Sequence, residues 1–291
     1  MKYNILTVAS KAYVPFLDMF LNSFFKNGNI EDLEKMYIVD VDLEDYKDRL
    51  YKSDKIIYLN SGEKEAYSGV HSWGWYNNTS QKTKFLYQLL SAEEINDPII
   101  LIDSDVLILS DISKLIDTNY DMQFTTMSEG SHVGASGIRI HQIGCFVVCK
   151  DKEKSKRFVK SWAKAAEQLK IMNRLKPHET PAMNILINMI EKKRVDGIEA
   201  SVRKVIREED DLSDLKIGYL DDKVSCSDRS LYDTTVTLHF KTNGGTQNGA
   251  FSGFRSRIGE IKCYSNKLRD LNLQEYINMN LLSEWIKNFN R

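Results

Sequence analysis

The first half of the chain alternates between two spacings of apolar residues. Short apolar runs typical of buried strands cover 2–8, 36–41, 55–59 and 99–102. Helical spacing covers 14–26 and the segment after Ser80, and we expect Ser80 to cap that second helix. The charged segment 42–52 also predicts a helix. Strands that alternate with helices are typical of a largely parallel sheet covered on both faces, so the sequence predicts an α/β fold.

The second half mixes the same two patterns less regularly. Strands are predicted over 122–127, 144–149 and 235–240, and helices over 152–172 and 181–192. Apolar residues four apart over 273–289 predict a helical C-terminal tail. Because Glu275 and Glu284 offset Lys287 and Arg291, we expect this tail to dock on its own protein rather than on a membrane surface. The long aromatic loop 60–78 is a candidate lid, in which Trp73, Trp75 and Tyr76 pack or stack on a ligand.

Composition narrows the class of protein. With 40 basic and 41 acidic side chains, the net charge of −1 excludes a protein held on nucleic acid mainly by bulk charge. The absence of a membrane-length apolar run and of a signal peptide predicts a cytoplasmic protein with at most peripheral membrane contact. The cysteines at 145, 149, 226 and 263 lack zinc-site spacing, and we expect reduced, buried thiols.

The segment Asp103-Ser104-Asp105 carries the most informative chemistry. It directly follows the apolar run 99–102, so the two carboxylates lie at the carboxyl end of a predicted strand. Side chains two apart on an extended backbone point to the same side, and both carboxylates can therefore converge on one cation. Oxygen ligands suit Mg²⁺ or Mn²⁺. A simpler interpretation stays open, in which both residues only end the strand and Asp111 caps the next helix.

Several further segments accompany this motif. Together they resemble the GT-A glycosyltransferases, and in particular family eight, the glycogenin-like and lipopolysaccharide galactosyltransferase-like enzymes. The resemblance is carried by these segments: Ile5-Leu6-Thr7-Val8-Ala9-Ser10, Tyr13-Val14-Pro15, Leu21-Asn22-Ser23, Lys82-Thr83-Lys84-Phe85-Leu86, Ile102-Asp103-Ser104-Asp105, Ile143-Gly144-Cys145-Phe146-Val147, His178-Glu179-Thr180-Pro181-Ala182-Met183-Asn184 and Leu238-His239-Phe240. It implies a Rossmann-like, mixed but mainly parallel sheet flanked by helices. The implied catalytic domain is 1–250, with a nucleotide-sugar half (1–127), an acceptor-side half (128–250) and a helical extension (251–291).

The resemblance also implies a donor site and a metal site. The metal ion, Mn²⁺ or Mg²⁺, is expected on Asp103, Asp105 and His239, and the imidazole favours Mn²⁺. The basic residue that helps to fix the donor is expected to be Lys84, with Lys82 as the alternative. The other implied donor contacts are Thr7, Ala9, Ser10, Tyr13, Asp103, Ser104 and Lys241.

On the acceptor side the sequence departs from the family pattern. Gln142-Ile143-Gly144 stands where relatives have Asn-x-Gly, and Glu179-Thr180 stands where they have Asp-Gln. The Gly-x-x-Lys expected after His239 is absent, and Lys241 comes earlier. Glu179 and Gln142 are the candidate catalytic residues on this side.

The implied activity is transfer of a sugar from a nucleoside diphosphate, most simply a UDP-sugar, to a glycan, lipid-linked or protein acceptor with retained configuration. Two alternatives stay open. A haloacid-dehalogenase-like phosphotransferase also uses an Asp-x-Asp after a strand, and Asp221-Asp222 resembles its later acidic motif. A non-catalytic protein that binds nucleotides or carbohydrates on the same fold is the second alternative.

Overall fold

The computed structural model describes residues 1–64, 73–133, 138–172, 179–192, 201–202, 204, 206, 211–220, 233–239 and 268–289, with the backbone path alone for 73–79, 127–133, 138–143 and 289. The strands are β1 (Tyr3–Ser10), β2 (Leu33–Val41), β3 (Ile56–Asn60), β4 (Ile99–Ile102), β5 (Val106–Ile108), β6 (Met122–Val133), β7 (Ile138–Cys149), β8 (Ile217–Leu220) and β9 (Thr237–His239). The longer helices are α1 (Val14–Asn27), α2 (Trp73–Ser91), α3 (Lys152–Ile171), α4 (Glu179–Ile190) and α5 (Met279–Phe289).

Seven of these strands form one sheet in the order β3-β2-β1-β4-β7-β6-β8, and β5 pairs with β9 in a separate two-stranded sheet. Strands β1, β2, β3 and β4 pair in parallel, and β8 is parallel to β6. In the described part of this sheet, only β7 is antiparallel to its neighbours, β4 and β6. The predicted mixed, mainly parallel sheet flanked by helices is confirmed.

The two faces of the sheet bury different side chains because alternate residues of a strand point in opposite directions. In β4, Ile100 and Ile102 belong to the cluster that contains α1 and the C-terminal segment. Ile99 and Leu101 belong to the cluster that contains α2, α3 and α4. The helices on each face of β4 therefore bring different side chains to the carboxyl end of this strand.

Two predicted elements are wrong. The segment 42–52 contains only a short 3₁₀ turn, Lys47–Arg49, in place of a helix. Asp42 has a φ of 63°, outside the helical region, and the Asp40 carboxylate accepts a hydrogen bond from the Leu43 amide at 2.7 Å, so a tight turn replaces the first helical turn. Ser80 does not cap α2, because the helix begins at Trp73, so most of the described part of the predicted loop 60–78 is helical.

The C-terminal tail docks on its own protein, as expected, although its helix α5 begins later than predicted. Trp285 is fully buried, and it belongs with Leu268 and Tyr276 to the same core cluster as Phe20 of α1. The predicted boundary at residue 250 lies outside the described residues. Within the part of the chain that the structure describes, no helix has both the length and the apolar character needed to cross a bilayer.

Asp18 gives a test of this packing. The residue lies in α1 and is 3% exposed, and burial raises the pKa of its carboxyl from 3.8 to about 6, against the opposing effect of a hydrogen bond with Asn22. Because the folded protein binds this proton more tightly than the unfolded chain, the Asp18 contribution to stability decreases as the pH rises from about 4 to about 6. We expect Asp18→Asn to gain stability relative to the wild type across that window, by at most about 3 kcal/mol above it.

Urea unfolding of both proteins between pH 4 and pH 8 measures this difference. Asp48→Asn is the matched control, because the Asp48 side chain is 99% exposed. A difference between Asp18→Asn and the wild type that stays constant with pH would show that the buried carboxyl does not titrate in this range.

Candidate active site

The candidate site lies where the carboxyl ends of β1 and β4 meet. These strands are parallel neighbours, with Leu6 opposite Leu101. The chain continues from β1 to β2 and β3 on one side, whereas β4 lies on the other side. Such a switch point leaves a crevice outside the carboxyl ends of the strands, and this is where open α/β sheets bind ligands. Asp103 follows β4 directly at this edge.

Three ligand-type side chains converge here from distant parts of the chain. The pairing of β5 with β9 sets Val106 opposite His239, so the imidazole lies beside the carboxylate that precedes β5. Nε2 of His239 is 3.4 Å from Oδ1 of Asp105 and 3.9 Å from Oδ2 of Asp103. One ligand atom from each of the three residues lies within 4.8 Å of the others.

This arrangement fits a divalent cation. Ligand atoms about 2.0–2.3 Å from one cation are roughly 3 Å apart when adjacent and somewhat over 4 Å apart when opposite. The separations at His239 fall in that range. Two carboxylates and one imidazole form a donor set that suits Mn²⁺ or Mg²⁺. The three side chains therefore need only small movements to share an ion.

The electrostatics of the cluster favour positive charge. Burial by itself lowers the pKa of the His239 imidazole, but the neighbouring Cys145 and Asp105 more than offset it, so the pKa lies well above 6.5. Burial also raises the pKa of the Asp105 carboxyl, and here the effects of His239 and Lys82 outweigh it, so that pKa is lowered. The field that retains a proton on His239 is the field that would attract a metal ion.

A lysine of α2 completes the charge arrangement. Nζ of Lys82 lies 2.7 Å from Oδ1 of Asp103, and the Lys82 side chain is 15% exposed. Burial lowers the pKa of the Lys82 ammonium, but the charges of Asp103, Glu179 and Asp105 outweigh this and raise it. Asp103 thus directs one oxygen toward Lys82 and the other toward His239.

The lysine that pairs with Asp103 is Lys82, whereas the resemblance favoured Lys84 as the residue that fixes the donor. Lys84 is exposed, and its ammonium lies 5.3 Å from the ring centroid of Phe85. The sequence contained a signal that favours Lys82. This residue precedes Phe85 by three positions and Leu86 by four, so it lies on the same side of the helix as these two buried side chains. Lys84 precedes the exposed Tyr87 and Gln88 by the same intervals.

The implied donor contacts on β1 show an unusual feature. Thr7 is 0% and Ser10 is 3% exposed, and the hydroxyl oxygens of both have no hydrogen-bond partner among the described residues. A buried hydroxyl without a partner is destabilising, so such groups often mark a place where a ligand supplies the partner. Ala9 and Ser104 are also buried at this edge, and Tyr13 is half-buried.

The acceptor-side candidates are described to different extents. Glu179 is the first residue of α4 and is 7% exposed, and its main-chain oxygen accepts a hydrogen bond from Nε1 of Trp162 at 2.6 Å. Its effect on the Lys82 pKa shows that its charge acts on the same cluster. Gln142 lies in β7, paired with Thr126 of β6, and only its backbone is described. Lys241 and Asp221-Asp222 lie outside the described residues.

Cys145 is a neighbour of the site that the sequence pattern assigned only to a buried strand. Its main-chain oxygen accepts a hydrogen bond from the Asp103 amide at 2.9 Å, and its thiol hydrogen-bonds with His239. The cysteines at 145 and 149 are both buried free thiols, as expected.

Comparison with known proteins places the chain in a family. The family model described as nucleotide-diphospho-sugar transferase matches residues 31–251, about three quarters of the chain. No curated protein sequence matches the chain. Among solved structures, a galactosyltransferase, LgtC, in complex with donor and acceptor sugar analogues is similar, with 12% identity, a TM-score of 0.49 and coverage of 95% of this chain and 96% of that one. On the strength of the family match, this chain belongs to the nucleotide-diphospho-sugar transferases and is a glycosyltransferase.

Proposed function

We propose that the protein transfers a sugar from a nucleoside-diphosphate donor, with UDP as the nucleotide, in a reaction that depends on Mn²⁺ or Mg²⁺. The observation that carries this proposal is the convergence of Asp103, Asp105 and His239 at the sheet's switch point. The acceptor is a glycan, a lipid-linked group or a protein, and the anomeric configuration is retained. Both of these assignments rest on the resemblance to family eight.

In this proposal Asp103, Asp105 and His239 hold the cation. When bound, the ion supplies a Lewis acid that offsets the charge developing on the departing nucleoside diphosphate. Asp103 keeps its geometry through two contacts, the ion pair with Lys82 and the hydrogen bond from its own amide to Cys145. A ligand that is held on both sides loses little conformational freedom when the ion binds.

The donor then lies along the edge between β1 and β4. Thr7 and Ser10 offer hydroxyls without a described partner to the nucleoside, and Ala9, Tyr13 and Ser104 line the same edge. Lys82 holds a fixed positive charge where the diphosphate reaches the metal ligands, and its raised pKa keeps it charged at physiological pH. Its proximity to Asp103 makes Lys82, rather than Lys84, the donor-fixing cation in this proposal.

On the acceptor side, Glu179 and Gln142 are proposed to orient the acceptor, and Lys241 to contact the diphosphate. Support for Glu179 comes from its burial and from its electrostatic effect on Lys82. The family match leaves the phosphotransferase alternative without support. A non-catalytic role is separated from transfer by measuring turnover.

The experiment that tests the donor site is a thermal-shift panel of nucleoside diphosphates with Mn²⁺, with Mg²⁺ and with EDTA. We expect UDP with metal to stabilise the folded protein by about 2.7 kcal/mol at a hundredfold excess over its Kd, because ligands that bind only the folded state stabilise it. EDTA should remove most of this gain. Measuring UDP release from a series of UDP-sugars, by hydrolysis or by transfer, then identifies the sugar.

Two outcomes would contradict the proposal. Equal stabilisation by UDP in Mn²⁺ and in EDTA would contradict the metal role. No shift with any nucleotide in the presence of metal would contradict the donor site itself. Binding of a nucleotide sugar without any turnover would instead support the non-catalytic alternative.

A further inference from the structure

The turn that follows β1 is held from the C-terminal end of the chain. Lys11–Tyr13 forms a short 3₁₀ turn between Ser10 and α1. Nε1 of Trp285, in α5, donates a hydrogen bond to the main-chain oxygen of Lys11 at 2.9 Å. Trp285 is 0% exposed and Lys11 is half-buried, so this bond is partly buried.

The same turn is held on its other side by the segment after β2. Nζ of Lys11 lies 2.6 Å from the Asp45 carboxylate. Arg49, in the same connection, forms an ion pair with Glu284, the residue that precedes the tryptophan. The turn is therefore enclosed by the β2–β3 connection and α5, and these two segments also contact each other.

This arrangement matters because the turn adjoins the proposed nucleotide contacts. Ser10 immediately precedes it, and Tyr13 is its last residue. Fixing the Lys11 carbonyl fixes the peptide plane between Lys11 and Ala12, which limits how Ser10 and Tyr13 move. A binding segment that is already in its bound conformation loses less entropy when the ligand binds.

We propose that Trp285 is a positioning residue for the nucleotide, which acts through the Lys11 carbonyl to hold the Ser10–Tyr13 backbone ready for binding. This inference rests on the proposed function, since it assumes that the nucleotide lies at the end of β1. It assigns the C-terminal helix a part in donor affinity, in addition to its packing on α1.

Trp285→Phe tests this, because it removes the N–H donor and keeps an aromatic ring in the core. We expect the Kd for UDP with Mn²⁺ to rise about fivefold to tenfold, consistent with loss of one hydrogen bond that orders the site. The donor KM should rise by a similar factor with kcat at saturating donor little changed. Mn²⁺ binding to the nucleotide-free protein should be unchanged, since the metal ligands lie elsewhere. Hydrogen exchange of the Lys11–Tyr13 amides should become faster.

Two control variants separate positioning from simple loss of stability. Phe158→Leu creates a defect in the core on the opposite face of the sheet, and Glu275→Gln removes the exposed ion pair of the same C-terminal segment with Lys26. Neither should change the Kd for UDP. Trp285→His retains a ring N–H and is a second variant; we expect its Kd for UDP to lie between those of the wild type and Trp285→Phe, and closer to the wild type.

An unchanged Kd in Trp285→Phe, with a lowered Tm, would overturn the inference and leave Trp285 a packing residue. Equal weakening in Phe158→Leu would overturn it as well. Failure of the wild-type protein to bind any nucleotide is a different result, because it overturns the proposed function on which this inference rests.

Discussion

Replacing Asp105 by asparagine is expected to reduce sugar transfer by at least about a hundredfold to a thousandfold, the range typical for loss of one group that stabilises charge in the transition state. The amide keeps the shape of the side chain but removes the negative charge that faces His239 at 3.4 Å. One of the three proposed ligands then keeps only a neutral oxygen, a weaker donor, so the affinity for Mn²⁺ should fall in parallel. Steady-state transfer and a Mn²⁺ titration of the nucleotide-free protein measure the two effects.

The matched control for this variant is Asp111→Asn. Asp111 is a nearby acidic residue whose carboxylate accepts the Ser113 amide at 2.9 Å and caps a short 3₁₀ turn, so its loss affects local stability alone. We expect this variant to keep both transfer and metal affinity. Near-normal turnover and unaltered Mn²⁺ binding in Asp105→Asn would exclude Asp105 as a metal ligand.

Lys82→Met is expected to reduce kcat/KM for the donor by about a hundredfold, whereas Lys84→Met should leave it unchanged. The two lysines are close in sequence, yet only Lys82 forms the 2.7 Å ion pair with Asp103. Because a fixed cation at the diphosphate is lost, the donor KM should rise and kcat should fall together. The pair of variants is measured with one donor titration under identical conditions.

Metal binding separates the proposed role of Lys82 from a purely structural one. Without the ammonium, Oδ1 of Asp103 loses the cation that competes with a metal ion for it, so Mn²⁺ should bind the nucleotide-free Lys82→Met protein at least as tightly as it binds the wild type. Removal of one member of a buried pair also lowers stability, so Lys82→Arg, which keeps the charge, should recover part of the donor affinity. Equal losses of metal and donor affinity in Lys82→Met, without recovery in Lys82→Arg, would indicate a structural role only.

Local patterns predicted most of the sheet and its helices. The strand at 99–102 and the helices over 14–26 and 152–172 were predicted close to their observed bounds because their apolar residues repeat with the period of the element. The helix predicted over 42–52 was wrong because its only support was a pattern of charged residues. That pattern does not report the positive φ of Asp42 or the hydrogen bond that the Asp40 side chain accepts, which together form a turn.

The sequence likewise predicted part of the candidate site and not the rest. Asp103 and Asp105 are two apart after a buried strand, so their convergence follows from backbone geometry and was predicted from the chain alone. Which of Lys82 and Lys84 lies near Asp103 depends on which side of α2 packs against the sheet. The spacing of the lysines from Phe85 and Leu86 indicates that side, whereas the Lys-Thr-Lys motif alone does not.

By itself, then, the sequence determined the alternation of strands and helices and the acidic pair at a strand end, since each is a matter of local spacing. The resemblance to family eight came from motifs spread over most of the chain. The resemblance implied His239 as a partner of the acidic pair, and the tertiary structure brings it to 3.4 Å from Asp105. Only the tertiary structure left the Thr7 and Ser10 hydroxyls without a described partner and placed the Trp285 indole on the Lys11 carbonyl. The strand β9 that carries His239 lies within the strand predicted over 235–240, whereas its partner β5 has only three residues, too few for a periodic signal. Their pairing depends on how distant segments close around a shared core, and this is why the chain's spacing pattern does not show it.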